Sequence, residues 1–98
     1  MYGVKVYIRR ITEISPPDTF VECMLTDFGG QEHYFRDKLS VFSAEWEPQI
    51  PCAGVIRCSL IAQTAQYAEI STMLPDDVES TMGVYRFKVP LTELVDNV

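Results

Sequence analysis

The feature that most constrains this fold is a two-residue alternation of apolar and polar side chains that recurs along the chain. Residues 4–9, VKVYIR, place two valines and an isoleucine on one face and charged or phenolic side chains on the other. Because successive side chains of a strand point to opposite sides of a sheet, this period predicts β-strands with one buried face. The alternation predicts six strands: an opening strand from residue 4, then residues 19–27, 32–36, 55–62, 66–74 and 84–90. No segment has the period of an amphipathic helix, and residues 91–97 allow a single helical turn.

Turn sequences between these segments indicate how the strands connect. SPPD at residues 15–18 ends the first strand, because proline cannot donate to a sheet ladder. FGGQ at residues 28–31 supplies two glycines, which suit a tight hairpin. We therefore predict one all-β domain over residues 1–98, a small six-stranded antiparallel barrel-like meander. Closure would remove exposed strand edges, and a two-sheet β-sandwich is the alternative.

The pair Arg9–Arg10 breaks the alternation in the first strand. A β-bulge at this pair would return Ile11 and Ile14 to the apolar face that carries Ile8. The sequence therefore predicts a bulge here, with both isoleucines facing the core.

The charge balance restricts the partners that this chain can bind. Fourteen acidic and 8 basic residues give a net charge of −6. This balance argues against nucleic acid and against anionic membranes, both of which attract clustered Lys and Arg. Three cysteines, an odd count, and a start without a secretory apolar region indicate free thiols in a reducing compartment, so we predict a cytoplasmic location.

The side chains that carry catalysis or bind metals show no recognisable arrangement. The spacing of Cys23, His33, Cys52 and Cys58 lacks the paired knuckles of a zinc site. His33 is the sole histidine, and no serine or cysteine lies in a nucleophile motif. We predict that the chain is not an enzyme and needs no cofactor.

The candidate functional segment is residues 40–54, SVFSAEWEPQIPCAG, which holds the sole tryptophan, two acids and no base. Residues 75–83 likewise carry acids without a base. If both segments lie at one end of the barrel, they would form an anionic rim around the tryptophan. The predicted protein-binding residues are Glu45, Trp46, Glu47, Asp76, Asp77 and Glu79. The competing interpretation makes Trp46 a plug that closes the barrel mouth, and makes the acids a solvated surface.

These observations support three hypotheses about function. The first is a non-catalytic, acidic module that binds a basic protein, including an inhibitor of the immunity-protein type that masks a nuclease toxin. The second is an accessory β-domain that forms homodimers or larger homo-oligomers through an unpaired first strand and exposed aromatics such as Tyr7 and Tyr67. The third is a small-ligand binder or enzyme that uses the barrel mouth.

Overall fold

The computed structural model describes residues 1–98 and is almost entirely β-structure. Seven antiparallel strands are joined by one short α-helix and one 3₁₀ turn. The strands are β1 (Tyr2–Ser15), β2 (Asp18–Thr26), β3 (Glu32–Lys38), β4 (Cys52–Gln63), β5 (Tyr67–Ser71), β6 (Arg86–Pro90) and β7 (Leu94–Val95). The helix α1 spans Leu39–Phe42, and the 3₁₀ turn spans Leu91–Glu93, within the predicted helical turn.

Six of the strands form a continuous sheet in the order β3-β2-β1-β4-β5-β6, and the two-residue β7 pairs with β1. The sheet curls into a half-barrel, which confirms the predicted all-β, barrel-like fold. The two predicted hairpins, β2–β3 and β4–β5, are both present. The strand β1 pairs with β2 on one side and with β4 on the other. It therefore joins the β2–β3 hairpin to the part of the sheet formed by β4, β5 and β6.

The central position of β1 corrects one sequence prediction. Its first half lies between β4 and β7, and its second half pairs with β2. An unpaired first strand, proposed above as an edge for homo-oligomers, is therefore wrong. Pairing with β4 ends at Ile8 opposite Cys52, so the β4-facing edge of β1 is free only beyond Ile8.

The bulge at Arg9 is present, and its register explains where the next apolar residues lie. Ile8 is opposite Cys23 and Arg10 is opposite Glu22, so Arg9 is the extra residue. The shift puts Ile11 opposite Val21, which is fully buried. Ile11 thus lies on the same face as Val21, as predicted. The packed core nevertheless does not extend as far along β1 as Ile11. Ile11 is 47% exposed and Ile14 is 68% exposed, which corrects their predicted burial.

The hydrophobic core fills the concave side of the curled sheet. Buried aliphatic, aromatic and cysteine side chains from β1, β2, β4, β5 and β6 meet there, together with Phe35 of β3, Phe42 of α1 and Val78 of the β5–β6 connection. The Phe35 and Phe87 rings pack edge to face with centroids 5.6 Å apart. Since β3 and β6 are the two ends of the sheet order, this contact closes the curl across its open side.

The connection between β5 and β6 is held by the buried side chain of Thr72. Its hydroxyl donates a hydrogen bond to the carbonyl of Val78 at 2.6 Å, and its backbone N–H donates to the carbonyl of Tyr85 at 2.9 Å. The connection also reaches β3, where the backbone N–H of Thr81 donates to the carbonyl of Tyr34 at 2.8 Å. These contacts make residues 72–85 part of the closure of the sheet.

All three cysteines are free thiols. Burial raises the pKa of Cys23 to about 12 and that of Cys58 to about 11, which makes both poor nucleophiles. No helix in the structure is long and apolar enough to span a membrane.

Candidate functional site

Trp46 projects into solvent with 91% of its surface exposed. The interpretation of Trp46 as a plug is therefore wrong, because a plug would be among the most buried residues. Phe42, four residues earlier, provides the aromatic side chain that enters the core from this segment. An indole this exposed is unusual, since tryptophan is highly buried on average. Trp46 is consequently available to a partner without any rearrangement of the core.

The irregular segment around Trp46 is shorter than the sequence predicted. The helix α1 extends to Phe42 and β4 begins at Cys52, which leaves residues 43–51 as the Trp46 loop. The loop leaves α1 through Ser43, whose backbone N–H donates to the Leu39 carbonyl at 3.0 Å. The Ser43 hydroxyl then accepts a hydrogen bond from the backbone N–H of Glu45 at 3.1 Å. Local hydrogen bonds thus order the beginning of the loop.

Gly54 fixes the position of α1 against the sheet, and through it the start of the Trp46 loop. A Cβ at this position would lie 2.8 Å from the backbone carbonyl oxygen of Phe42 and 2.8 Å from Cδ1 of Ile8. The Ile8 side chain can move, but the Phe42 carbonyl belongs to the helix backbone. The absence of a side chain at Gly54 therefore allows α1 to approach β4 closely.

We expect Gly54→Ala to destabilise the protein by about 1–3 kcal/mol, the usual cost of overpacking a tight contact. The added methyl group should push α1 and the Trp46 loop away from β4. Urea unfolding measures the stability, and amide chemical shifts in NMR spectra report the displacement. Gly29→Ala is the matched control, because its nearest non-neighbouring atom is an Asp27 carboxylate oxygen at 3.5 Å. Equal stability of the two variants would contradict this role of Gly54.

Glu45 and Glu47 lie on either side of Trp46 and are both exposed. Neither belongs to any of the seven ion pairs of the protein. Two carboxylates without an ion pair therefore flank the exposed indole. The base Lys38 lines the hollow beside the loop and pairs with Asp18 at 3.6 Å. Glu45, Trp46 and Glu47, three of the six predicted site residues, are therefore exposed together on one loop.

A hollow of about 530 Å³ separates the Trp46 loop from the turn between β1 and β2. Trp46 and Glu47 line one side, and Pro17, Asp18 and Thr19 line the other. Thr19 is paired with Ile14 across the hairpin, so the exposed Ile14 belongs to the same end of the molecule. Sequence reasoning missed Ile14 because its position in the alternation predicted burial.

The two acidic segments border a common groove, as the rim hypothesis requires. This groove, of about 690 Å³, is lined by Glu45, by residues of α1 and β4, and by Asp76. However, Arg57 also lines the groove and binds Asp76 with two hydrogen bonds, at 2.6 and 2.9 Å. The anionic rim is therefore interrupted by a base that comes from β4, outside the acidic segments.

Asp77 and Glu79 lie around a tyrosine rather than around Trp46. The Tyr85 hydroxyl donates a hydrogen bond to Asp77 at 2.7 Å. Hydrogen bonding to Asp77, and then to Glu79, raises the pKa of Tyr85 well above its usual value. Of the six predicted site residues, Glu45, Trp46 and Glu47 form one exposed group. Asp76 shares the groove with Glu45 alone, whereas Asp77 and Glu79 lie near the Tyr85 hydroxyl.

An arginine cluster on the outer face of the sheet is the second charged feature. Arg9, Arg10 and Arg36 all approach the carboxylate of Glu22, with shortest distances of 3.4, 3.1 and 3.5 Å. Glu22 itself is only 8% exposed, whereas each arginine side chain is at least 42% exposed. Arg9 also lies over the ring of Tyr34, 5.3 Å from its centroid. The bulge brings Arg9 to the same carboxylate as Arg10.

The arginine cluster gives Glu22 a predictable effect on acid stability. The hydrogen bond from Arg10, followed by the charges of the three arginines, holds the pKa of Glu22 below its ordinary value of 4.5, against the opposing effect of burial. The ionised Glu22 carboxylate therefore stabilises the fold above about pH 4.5. This contribution is lost as the pH falls through the depressed pKa that Glu22 has in the folded protein.

We expect Glu22→Gln to remove part of the decrease in unfolding free energy between about pH 5.5 and about pH 3. Urea unfolding across this range measures the effect. Glu13→Gln is the matched control, because Glu13 is exposed and makes no ion pair. An acid dependence that is the same in the wild type and in both variants would contradict a depressed pKa at Glu22.

No group of three or more His, Cys, Asp or Glu side chains is placed to hold a metal ion. Comparisons of this chain with family models, with curated proteins and with solved structures give no match.

Proposed function

We propose that this chain is a non-catalytic protein-binding module whose binding element is the Trp46 loop. The observation that carries the proposal is the 91% exposure of Trp46 between two unpaired carboxylates. Tryptophan is enriched among the residues that contribute most to binding at protein interfaces, where it fills a pocket on the partner. Leaving such a side chain in water gains nothing for the fold, so its position is best explained by a surface that covers it.

The charge around Trp46 indicates the chemistry of the partner. Glu45 and Glu47 flank the indole, and the chain as a whole carries −6. Opposite charges steer association and suppress wrong partners, so a basic surface is the fitting complement. In its specific form, the proposal is that the chain inhibits a basic enzyme such as a nuclease toxin by covering its cationic substrate-binding surface.

The apolar residues near the loop extend the proposed surface beyond the tryptophan. Ile14 is 68% exposed, and its cross-strand neighbour Thr19 lines the hollow beside Trp46. Pro17 lines the same hollow. A partner that covers Trp46 could therefore seat an apolar side chain between the loop and the β1–β2 turn.

The test is capture of partners from the native host with immobilised protein, performed at low and at high salt. The proposal predicts a basic protein that is retained at low salt, is released by high salt, and is lost when Trp46→Ala is immobilised. Inhibition is tested by adding the chain to the captured protein and measuring cleavage of RNA and DNA. A captured protein that binds Trp46→Ala as well as the wild type would contradict the use of the loop.

A further inference from the structure

The arginine cluster carries more positive charge than Glu22 can neutralise. One guanidinium suffices to neutralise Glu22, and Arg10 already provides it with two hydrogen bonds, at 3.1 and 3.3 Å. Arg9 and Arg36 add two like charges within ion-pair distance of the same carboxylate. Three guanidinium groups around one carboxylate leave the cluster with an excess of positive charge. This surplus suggests that the cluster binds an anionic group from outside the chain.

The surroundings of the cluster favour a protein over a nucleic acid. Cross-strand pairing places Tyr7 opposite Met24, and Met24 opposite Tyr34, on the strands that carry the arginines. Arginine, tyrosine and methionine are the residue types enriched at protein interfaces. Phosphate recognition would instead need a wide basic surface, which a chain with a net charge of −6 does not offer.

We propose that the arginine cluster is the docking site for the Trp46 loop of a second copy of this chain. The loop presents two carboxylates and an exposed indole, and the cluster presents surplus guanidinium groups with unused donors. Arginine binds carboxylates in bidentate fashion and stacks on aromatic faces, most favourably on tryptophan. Within one chain Glu45 and Glu47 pair with no base, so the loop and the cluster remain available for contact between copies.

This inference rests on the proposed function only in taking the Trp46 loop as the binding element. A nine-residue loop on a small cluster covers less surface than stable complexes need, so the association is weak and sensitive to salt. At high protein concentration, copies of the chain would cover one another's loops. A basic partner with a larger interface would then displace the second copy.

Sedimentation velocity across a concentration series, at low and at high salt, tests the proposal. The expected result is a mass that rises above the 11.2 kDa of one chain at high concentration and low salt, and returns to it in high salt. Trp46→Ala and the double variant Arg9→Gln/Arg36→Gln should both stay monomeric. Arg10 is retained in the double variant so that Glu22 keeps a partner. Arg86→Gln is the matched control, because Arg86 is an exposed arginine paired with Glu69 on another strand.

Mixing the two defective variants identifies which surfaces meet. Trp46→Ala keeps an intact cluster, and Arg9→Gln/Arg36→Gln keeps an intact loop, so their mixture should recover association that neither shows alone. A wild type that is monomeric at every concentration would overturn the proposal, as would association that persists in either variant or a mixture that stays monomeric. The arginine variants should still bind a basic partner, which separates failure of this inference from failure of the proposed function.

Discussion

Replacing Phe35 with alanine is expected to lower the free energy of unfolding by about 3–5 kcal/mol. Phe35 is fully buried on β3, and its ring packs against Phe87 of β6. The same residue forms an isolated backbone bridge with Ser80 of the β5–β6 connection. Truncation would leave a cavity at the contact between Phe35 and Phe87, and a cavity adds to the cost of the lost burial.

Thermal and urea unfolding measure this loss, which corresponds to roughly 4–8 °C in Tm for each kcal/mol in a domain of this size. Phe28→Ala is the matched control, because Phe28 lies in the turn between β2 and β3, is 46% exposed, and its ring contacts Tyr67. A Phe35→Ala variant that is no less stable than Phe28→Ala would contradict the closed arrangement of β3 and β6.

Replacing Trp46 with alanine is expected to weaken binding of a basic partner by about 2–4 kcal/mol, which is roughly a 30- to 1,000-fold increase in Kd. The stability of the free chain should change by less than about 0.5 kcal/mol, because the side chain makes almost no contacts within the fold. Titration calorimetry measures the affinity, and urea unfolding measures the stability.

Met82→Ala provides the control for the Trp46 substitution. Met82 is 85% exposed and lies in the β5–β6 connection, so its truncation removes exposed apolar surface outside the Trp46 loop. Affinity should be unchanged in this variant. A large loss of stability in Trp46→Ala, or an equal loss of affinity in both variants, would contradict the role of Trp46 as an anchor.

The alternation of side chains predicted the six strands of the main sheet, because burial on one face imposes a two-residue period on each strand. It also located the bulge at Arg9, where two consecutive arginines break the phase. It missed the two-residue β7, which lies in the segment predicted as a helical turn. The same signal could not show how far the core extends. Ile11 and Ile14 have the correct phase but lie beyond the packed interior, since nothing covers that part of the hairpin.

The site was harder to predict because its charges depend on long-range pairing. Arg57 is nineteen positions from Asp76, and the path of the β5–β6 connection beside β4 brings them together. The arginine cluster likewise combines residues of β1 and β3 around a glutamate of β2. The sequence could not decide which aromatic side chain of this segment enters the core. Phe42 and Trp46 are only four residues apart, and the structure shows that Phe42 is buried and Trp46 is exposed.

Collisional quenching of tryptophan fluorescence by acrylamide tests the central claim most directly, because Trp46 is the sole tryptophan of the chain. In the free protein, the quenching constant should be close to that of the urea-unfolded chain, as expected for a solvated indole. Addition of the basic partner should lower the constant sharply as the indole becomes covered. A constant that is already low in the free protein, or one that does not change when the partner binds, would contradict the assignment of Trp46 as an exposed anchor.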